Sequence, residues 1–124
     1  MEEINFKFEK LKVWQISMDW GEELFVLSKN FPKEELYGLS SQLRRAADSV
    51  ALNIAEGSIG QSNPELKRFL GYSIRSVSEV VTCLHKAVRR KYISNDDFQK
   101  NYKQAFNLMN MLVAFQRKII EGPK

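Results

Sequence analysis

Side-chain catalysis needs a nucleophile or proton carrier held beside a partner, and this chain has few candidates for either role. It has one histidine, His85, and one cysteine, Cys83. They are two residues apart, and on a helix such neighbours point in different directions. Any Ser/His/Asp or Cys/His triad would rest on His85 alone. A metal centre would need more histidine, cysteine or clustered carboxylate, and the paired Glu-x-x-His pattern of di-iron bundles is absent. Gly57-Ser58-Ile59-Gly60 lacks the Lys-Ser/Thr of a phosphate-binding loop and follows a helical stretch, not a strand. Cys83 reads as a small packed hydrophobe. The expectation is a protein without catalytic residues, metal or cofactor.

Contact with a polyanion has more material. Lys67, Arg68 and Arg75 cluster in one stretch and Lys86, Arg89, Arg90 and Lys91 in another. With Arg44, Arg45, Arg117 and Lys118 they are candidates for phosphate contacts. No RNA-recognition or helix-turn-helix signature accompanies them, so solvated surface charge is the competing reading. A second unusual feature is a polar stripe formed by Gln42, Arg45, Ser49, Asn53 and Glu56. Beside it Arg44 and Asp48 stand four residues apart, as an ion pair on one helix would. A face turned only to water more often carries Lys and Glu. The stripe is therefore read as a network that fixes helix register or a subunit interface, with ligand or RNA contact as the alternative.

The elements that must position these residues follow from apolar periodicity. Val13, Ile16, Trp20, Leu24 and Leu27 recur at helical spacing, and Pro32 ends that stretch because the residue before a proline avoids the α region. Leu39, Leu43, Ala46, Val50 and Ile54 form a second stripe, flanked by Ala47, Ala51 and Ala55. Gly57 is expected as its left-handed C-cap, and Gly21 in the first stretch as a point of close packing. Leu66, Phe69, Leu70, Ser73, Val77, Val80, Val81, Leu84, Ala87 and Val88 mark a third helix, opened by Ser62 or Asn63 with Pro64 in its first turn. Ser94 with Asp97 resembles a capping box before a fourth stripe of Tyr102, Ala105, Met109, Leu112, Phe115 and Ile119. The predicted helices span about 13–29, 36–56, 64–91 and 95–120. Short connections then make one all-α domain, an antiparallel up-down-up-down four-helix bundle over 1–124.

Composition agrees. A chain of 124 residues with 44% hydrophobic and 27% charged side chains is globular in balance and sized for one core. No apolar run approaches the roughly 18 to 20 residues of a membrane span. The acidic start, Met1 to Asn5, is unlike a signal peptide, and a lone cysteine suits a reducing compartment, so a cytoplasmic chain is expected. The net charge of +4 is uneven. Residues 1–36 hold five cations against eight acids, and residues 63–93 hold seven against two. Such asymmetry can steer self-association or present a cationic face. Trp14, Met18 and Phe25 lie off the first stripe, and a lone bundle would leave part of them exposed.

Three segments carry a family resemblance: Leu11-Lys12-Val13-Trp14-Gln15, the run from Phe31 to Leu39, and above all Gln42-Leu43-Arg44-Arg45-Ala46-Ala47-Asp48-Ser49-Val50-Ala51-Leu52-Asn53-Ile54-Ala55-Glu56-Gly57. With Phe69-Leu70 and Ser76-x-x-Glu79 further on, the chain resembles the bacterial four-helix-bundle family linked to the 23S ribosomal RNA intervening sequence, often labelled S23 ribosomal protein. The resemblance implies a cytoplasmic bundle without catalytic residues that assembles into a ring, a homopentamer. A related group serves as accessory protein to reverse transcriptases of diversity-generating retroelements, with basic surfaces on nucleic acid. The resemblance thus implies RNA or a reverse transcriptase as partner. The rival is a protein-interaction module or accessory scaffold with no direct RNA recognition. The family's patterned polar residues map onto Gln42, Arg44, Arg45, Ser49, Asn53, Glu56 and Glu79. Two departures stand out: Ile59-Gly60-Gln61 where the family commonly has an arginine, and Arg75 in place of a glycine before Ser76.

Overall fold

The computed structural model describes residues 4–60 and 62–119. A short 3-10 turn over Lys7–Lys10 leads into α1 (Lys12–Ser28), and a second over Lys33–Glu35 precedes α2 (Leu39–Gly57). Then come α3 (Asn63–Arg89) and α4 (Asn95–Lys118). The described residues contain no β-strand.

Pairings along each seam run in opposite senses, so the helices alternate up and down. Between α1 and α2, Arg44 Nε donates to Ser28 Oγ at 2.8 Å, while Trp14 and Ala55 line the far end of the same seam. Ser73 Oγ of α3 donates to the Val50 carbonyl of α2 at 2.9 Å. The His85 ring of α3 lies 4.9 Å from that of Phe98, at the start of α4, and Gln116 near the end of α4 reaches back to Lys67. Trp20 Nε1 closes the circle by donating to Asn101 Oδ1 at 3.0 Å. Leu24, Leu43, Ile54, Leu70, Val77, Leu84 and Leu112 are fully enclosed, and burial of each leucine-sized side chain is worth about 1.5–3 kcal/mol.

The helix ends differ from the periodicity in instructive ways. α2 begins at Leu39, not 36, because Glu35 Oε1 accepts the Leu39 N–H at 3.1 Å and supplies the cap from outside the helix. α3 ends at Arg89, two residues early. Tyr92 N–H bonds the Ala87 carbonyl at 2.9 Å and Lys91 N–H that of Val88 at 3.1 Å, with Lys91 left-handed at φ 63°. That pattern is a Schellman cap. Ser62 caps α3, accepting from Glu65 N–H at 3.2 Å. Ser94 caps α4, accepting from Asp97 N–H at 3.0 Å. The described part of α4 ends at Lys118, and residue 120 lies outside the described residues.

Three expectations about packing are corrected. Gly57 is not a left-handed cap. It is the buried last residue of α2, where a Cβ would sit 2.8 Å from Phe69 Cβ and 3.4 Å from Leu66 Cα, so it is small because α3 crosses there. Gly21 does the reverse: a Cβ would meet nothing within 4 Å. In α4 the buried stripe is Phe98, Asn101, Ala105, Leu108 and Leu112, and Tyr102 is exposed. Hydrophobicity misplaced that phase because Asn101 is buried as the partner of the Trp20 indole.

Candidate nucleic-acid interface

The basic residues of α3 form two separate surfaces. From Arg68 to Arg89 the helix rises about 30 Å at ~1.5 Å per residue, with the exposed acid Glu79 between them. At the first surface, Lys67, Arg68 and Arg75 join Pro64, Tyr72 and Gln116 around an open cleft of about 350 Å³ whose floor includes Gly71. Gln116 Nε2 donates to the Lys67 carbonyl at 3.0 Å, fixing the last turns of α4 against the first turns of α3. Arg117 and Lys118, both exposed, follow directly, so charge from two helices gathers at one end. Arg68 pairs with Glu65 and lies 5.5 Å from the Phe69 ring centroid. The Arg75 guanidinium lies 6.0 Å from the Tyr72 centroid. Sequence reasoning missed Gln116 and Gly71: neither is charged, and only folding brings position 116 to position 67.

At the far end of α3, Lys86, Arg89 and Lys91 are exposed, but Arg90 is engaged. Its Nη1 meets Glu35 Oε2 at 2.9 Å, and the Tyr92 hydroxyl donates to the same oxygen at 2.8 Å. Glu35 thereby ties the α1–α2 connection to the α3–α4 connection. Its carboxyl is held below the ordinary range by the Leu39 N–H first, then by the Tyr92 hydroxyl and Arg90. Accepting the Tyr92 hydroxyl bond in turn pushes the Tyr92 phenol up. This cluster was not anticipated, since Glu35 reads in sequence as one more exposed acid.

The polar stripe of α2 divides. Arg44 does not pair with Asp48; it is half-buried against α1, bonded to Ser28 with its guanidinium 4.6 Å from the Phe25 centroid. Gln42, Arg45, Asp48 and Glu56 are exposed. Asn53 Nδ2 donates back to the Ser49 carbonyl at 2.8 Å, and Arg45 reaches only Ser41, at 3.5 Å. These residues therefore do not form the register-fixing network within the bundle; polar pairing between helices runs instead through Trp20–Asn101, Ser73–Val50, Gln116–Lys67 and Arg44–Ser28. Glu79 is exposed and Trp14 half-buried. Of the two departures from the family pattern, Arg75 lines the cleft and Gln61 lies outside the described residues.

Among the described residues, apolar grooves run between neighbouring helices, and a pair of them lies on opposite faces of the bundle. One, between α1 and α2, includes Trp14, Met18, Gly21, Ala51 and Leu52 and encloses about 460 Å³. The other, between α3 and α4, includes Val81, Tyr102, Phe106 and Met109 and encloses about 320 Å³. Met18, Leu52 and Phe106 are 43%, 66% and 60% exposed.

The residues considered for catalysis are set apart by environment. Cys83 is buried, and desolvation pushes its thiol up, away from the nucleophilic thiolate. His85 is exposed and packs edge-on to Phe98 and Tyr102. Among the described residues no group of three or more His, Cys, Asp or Glu side chains could hold a metal ion. No helix among them is long and apolar enough to cross a membrane.

No curated protein sequence matches the chain. A solved structure does: a protein of unknown function from the S23 ribosomal protein family of Bacteroides thetaiotaomicron VPI-5482, 20% identical, with a TM-score of 0.79 over 86% of this chain and 96% of that one. At that identity the likeness speaks to the fold. Family membership rests on sequence, since residues 9–114 match the family described as 23S rRNA-intervening sequence protein. The chain belongs to the 23S rRNA-intervening sequence protein family.

Proposed function

We propose that this protein is a non-enzymatic, cytoplasmic RNA-binding bundle that works as a homo-oligomer. The observation that carries the RNA reading is the open cleft lined by Lys67, Arg68 and Arg75 of α3 and by Gln116 of α4, with the exposed Arg117 and Lys118 next along the chain at the same end of the bundle. Cations on two helices offer more phosphate contacts than the face of α3 alone. Arg45, Lys86, Arg89 and Lys91 add charge elsewhere; Arg44 and Arg90 are held by other elements of the bundle. Arg68 pairs with Glu65 one turn away on its own helix, while its side chain stays 56% exposed. Supporting a non-enzymatic role, Cys83 is sequestered, and His85, though exposed, packs against the Phe98 and Tyr102 rings and not beside Cys83 or a carboxylate among the described residues.

The test is salt dependence of binding to a labelled RNA transcript. Each neutralised phosphate releases counterions, so about three to five contacts on unpaired RNA give a slope of about −2 to −3.5 in log K against log salt. An affinity unchanged between 50 and 200 mM salt, roughly the range over which such contacts weaken, would sink the reading.

A second reading is favoured by the apolar grooves: a protein-interaction module or reverse-transcriptase accessory scaffold without direct RNA recognition. Two different apolar surfaces on opposite faces suit head-to-tail contacts, which close into rings when the rotation allows; the family resemblance implies a pentamer. Recovery of a protein partner after nuclease treatment, with no RNA affinity, would favour this reading.

A further inference from the structure

We infer that the α3–α4 cleft takes unpaired, single-stranded RNA, with a base stacked at Tyr72; this rests on the RNA reading above and deepens it. Arg68, Tyr72 and Arg75 follow one another at i, i+4 and i+7, so they share a stripe of α3. Tyr72 is 37% exposed, enough to offer ring surface at the cleft. Its orientation is fixed from below by Phe69, whose ring stands edge-on at 5.4 Å and 86°. A cation lies at each aromatic, Arg68 at Phe69 and Arg75 at Tyr72. Gly71, next to Tyr72, also lines the cleft, where a Cβ would stand 3.4 Å from Gln116 Nε2.

This arrangement discriminates between forms of RNA. Cations alone do not favour the single strand, because a duplex carries the denser phosphate charge. An aromatic face adds energy only for a base free to leave its own stack, and a base in an A-form helix is not. The other basic end of α3 offers no equivalent, because its aromatic, Tyr92, has its hydroxyl bonded to Glu35 and its ring packed 5.5 Å from that of Phe31. The length of the track is limited too. From Arg68 to Arg75 α3 rises about 10 Å, and the next residue on the stripe is Glu79, an acid that repels phosphate. Each subunit therefore holds two or so nucleotides, roughly one of them stacked.

The test is fluorescence anisotropy of the full chain with a labelled single-stranded oligouridine and a labelled RNA duplex of equal length. The expected result is tighter binding of the single strand. Tyr72→Leu should weaken the single strand by about fivefold to a hundredfold, the worth of one base–aromatic stack, and leave the duplex unchanged. Tyr72→Phe, which keeps the ring, should retain the wild-type affinity. Arg75→Gln should lower the salt slope on the single strand by about 0.7. Equal binding of duplex and single strand, or a Tyr72→Leu protein with wild-type affinity for oligouridine, overturns the inference while the RNA reading stands. Failure to bind either RNA overturns both. If Tyr72→Leu instead changes the mass of the oligomer with oligouridine affinity intact, the surface is a subunit contact and the inference falls.

Discussion

Lys91 is the described non-glycine residue with positive φ, at 63°, and it occupies the position in the Schellman cap where glycine is usual. A left-handed residue with a Cβ costs roughly 1–2 kcal/mol, and glycine gives back part of that in unfolded-state entropy. Lys91→Gly should therefore stabilise the protein by about 0.5–1 kcal/mol, read as a higher urea midpoint at unchanged slope. The hydrogen bonds of the cap are backbone bonds and survive the substitution. A lower midpoint would show that the Lys91 side chain supplies a contact worth more than the backbone cost. The same residue explains a misread boundary. Lys91 continues a run of cations that reads as helix, and nothing in its type announces a left-handed turn. Asn101 misled in the opposite way, as a polar residue that is buried only because an indole 81 positions away needs an acceptor.

At the scale of elements, Ser62, Ser94 and the turn at Lys91 close their helix ends locally, whereas Glu35 joins a local cap to tertiary partners. It accepts from the first N–H of α2, from Tyr92 and from Arg90, joining two connections at one end of the bundle. Its carboxyl is depressed in the folded protein, so the stability it contributes is present above its unfolded pKa of about 4.3 and is lost as pH falls through the folded value. The Tyr92 phenol is raised, so its contribution holds below about pH 10 and is lost as pH climbs through the folded value. Glu35→Gln should thus be less stable than wild type at neutral pH, with the gap closing as acid protonates the wild-type carboxyl. Thermal unfolding of both proteins from pH 7 to pH 3 checks this; a gap constant with pH would mean that the contribution of Glu35 is not ionic. Helices themselves were legible because apolar spacing is local. Their limits were less so, since Glu35 and Gly57 take their roles from chains that pass nearby only after folding. The candidate site was half legible for the same reason: Lys67, Arg68 and Arg75 declare their charge, whereas Gln116 contributes by position. Arg44 and Arg90 declare it equally and have their charge engaged internally.

For the whole molecule the question is whether the exposed apolar grooves between α1 and α2 and between α3 and α4 are covered by other copies of the chain. A groove that paired with its own copy would give closed two-fold dimers, whereas two unlike grooves meeting head to tail give a ring when the rotation closes. The two arrangements respond differently to paired substitutions. Leu52→Glu blocks the α1–α2 groove and Phe106→Glu the α3–α4 groove; both positions are exposed, so neither change disturbs the core. In a head-to-tail assembly each variant alone should be monomeric by light scattering, because every contact needs one groove of each kind. Mixed in equal amounts, they should form a capped heterodimer, since the intact α1–α2 groove of one fits the intact α3–α4 groove of the other. Like-with-like pairing predicts homodimers of either variant alone, and no gain on mixing. Gly21 gives an independent reading of the same groove. No described residue fills the space beside it, so Gly21→Ala should raise the stability of the subunit by about 1 kcal/mol through helix propensity. If a neighbouring subunit packs there, the added methyl should also loosen the assembly, and a rise in stability with undiminished mass would leave the α1–α2 groove open in the oligomer.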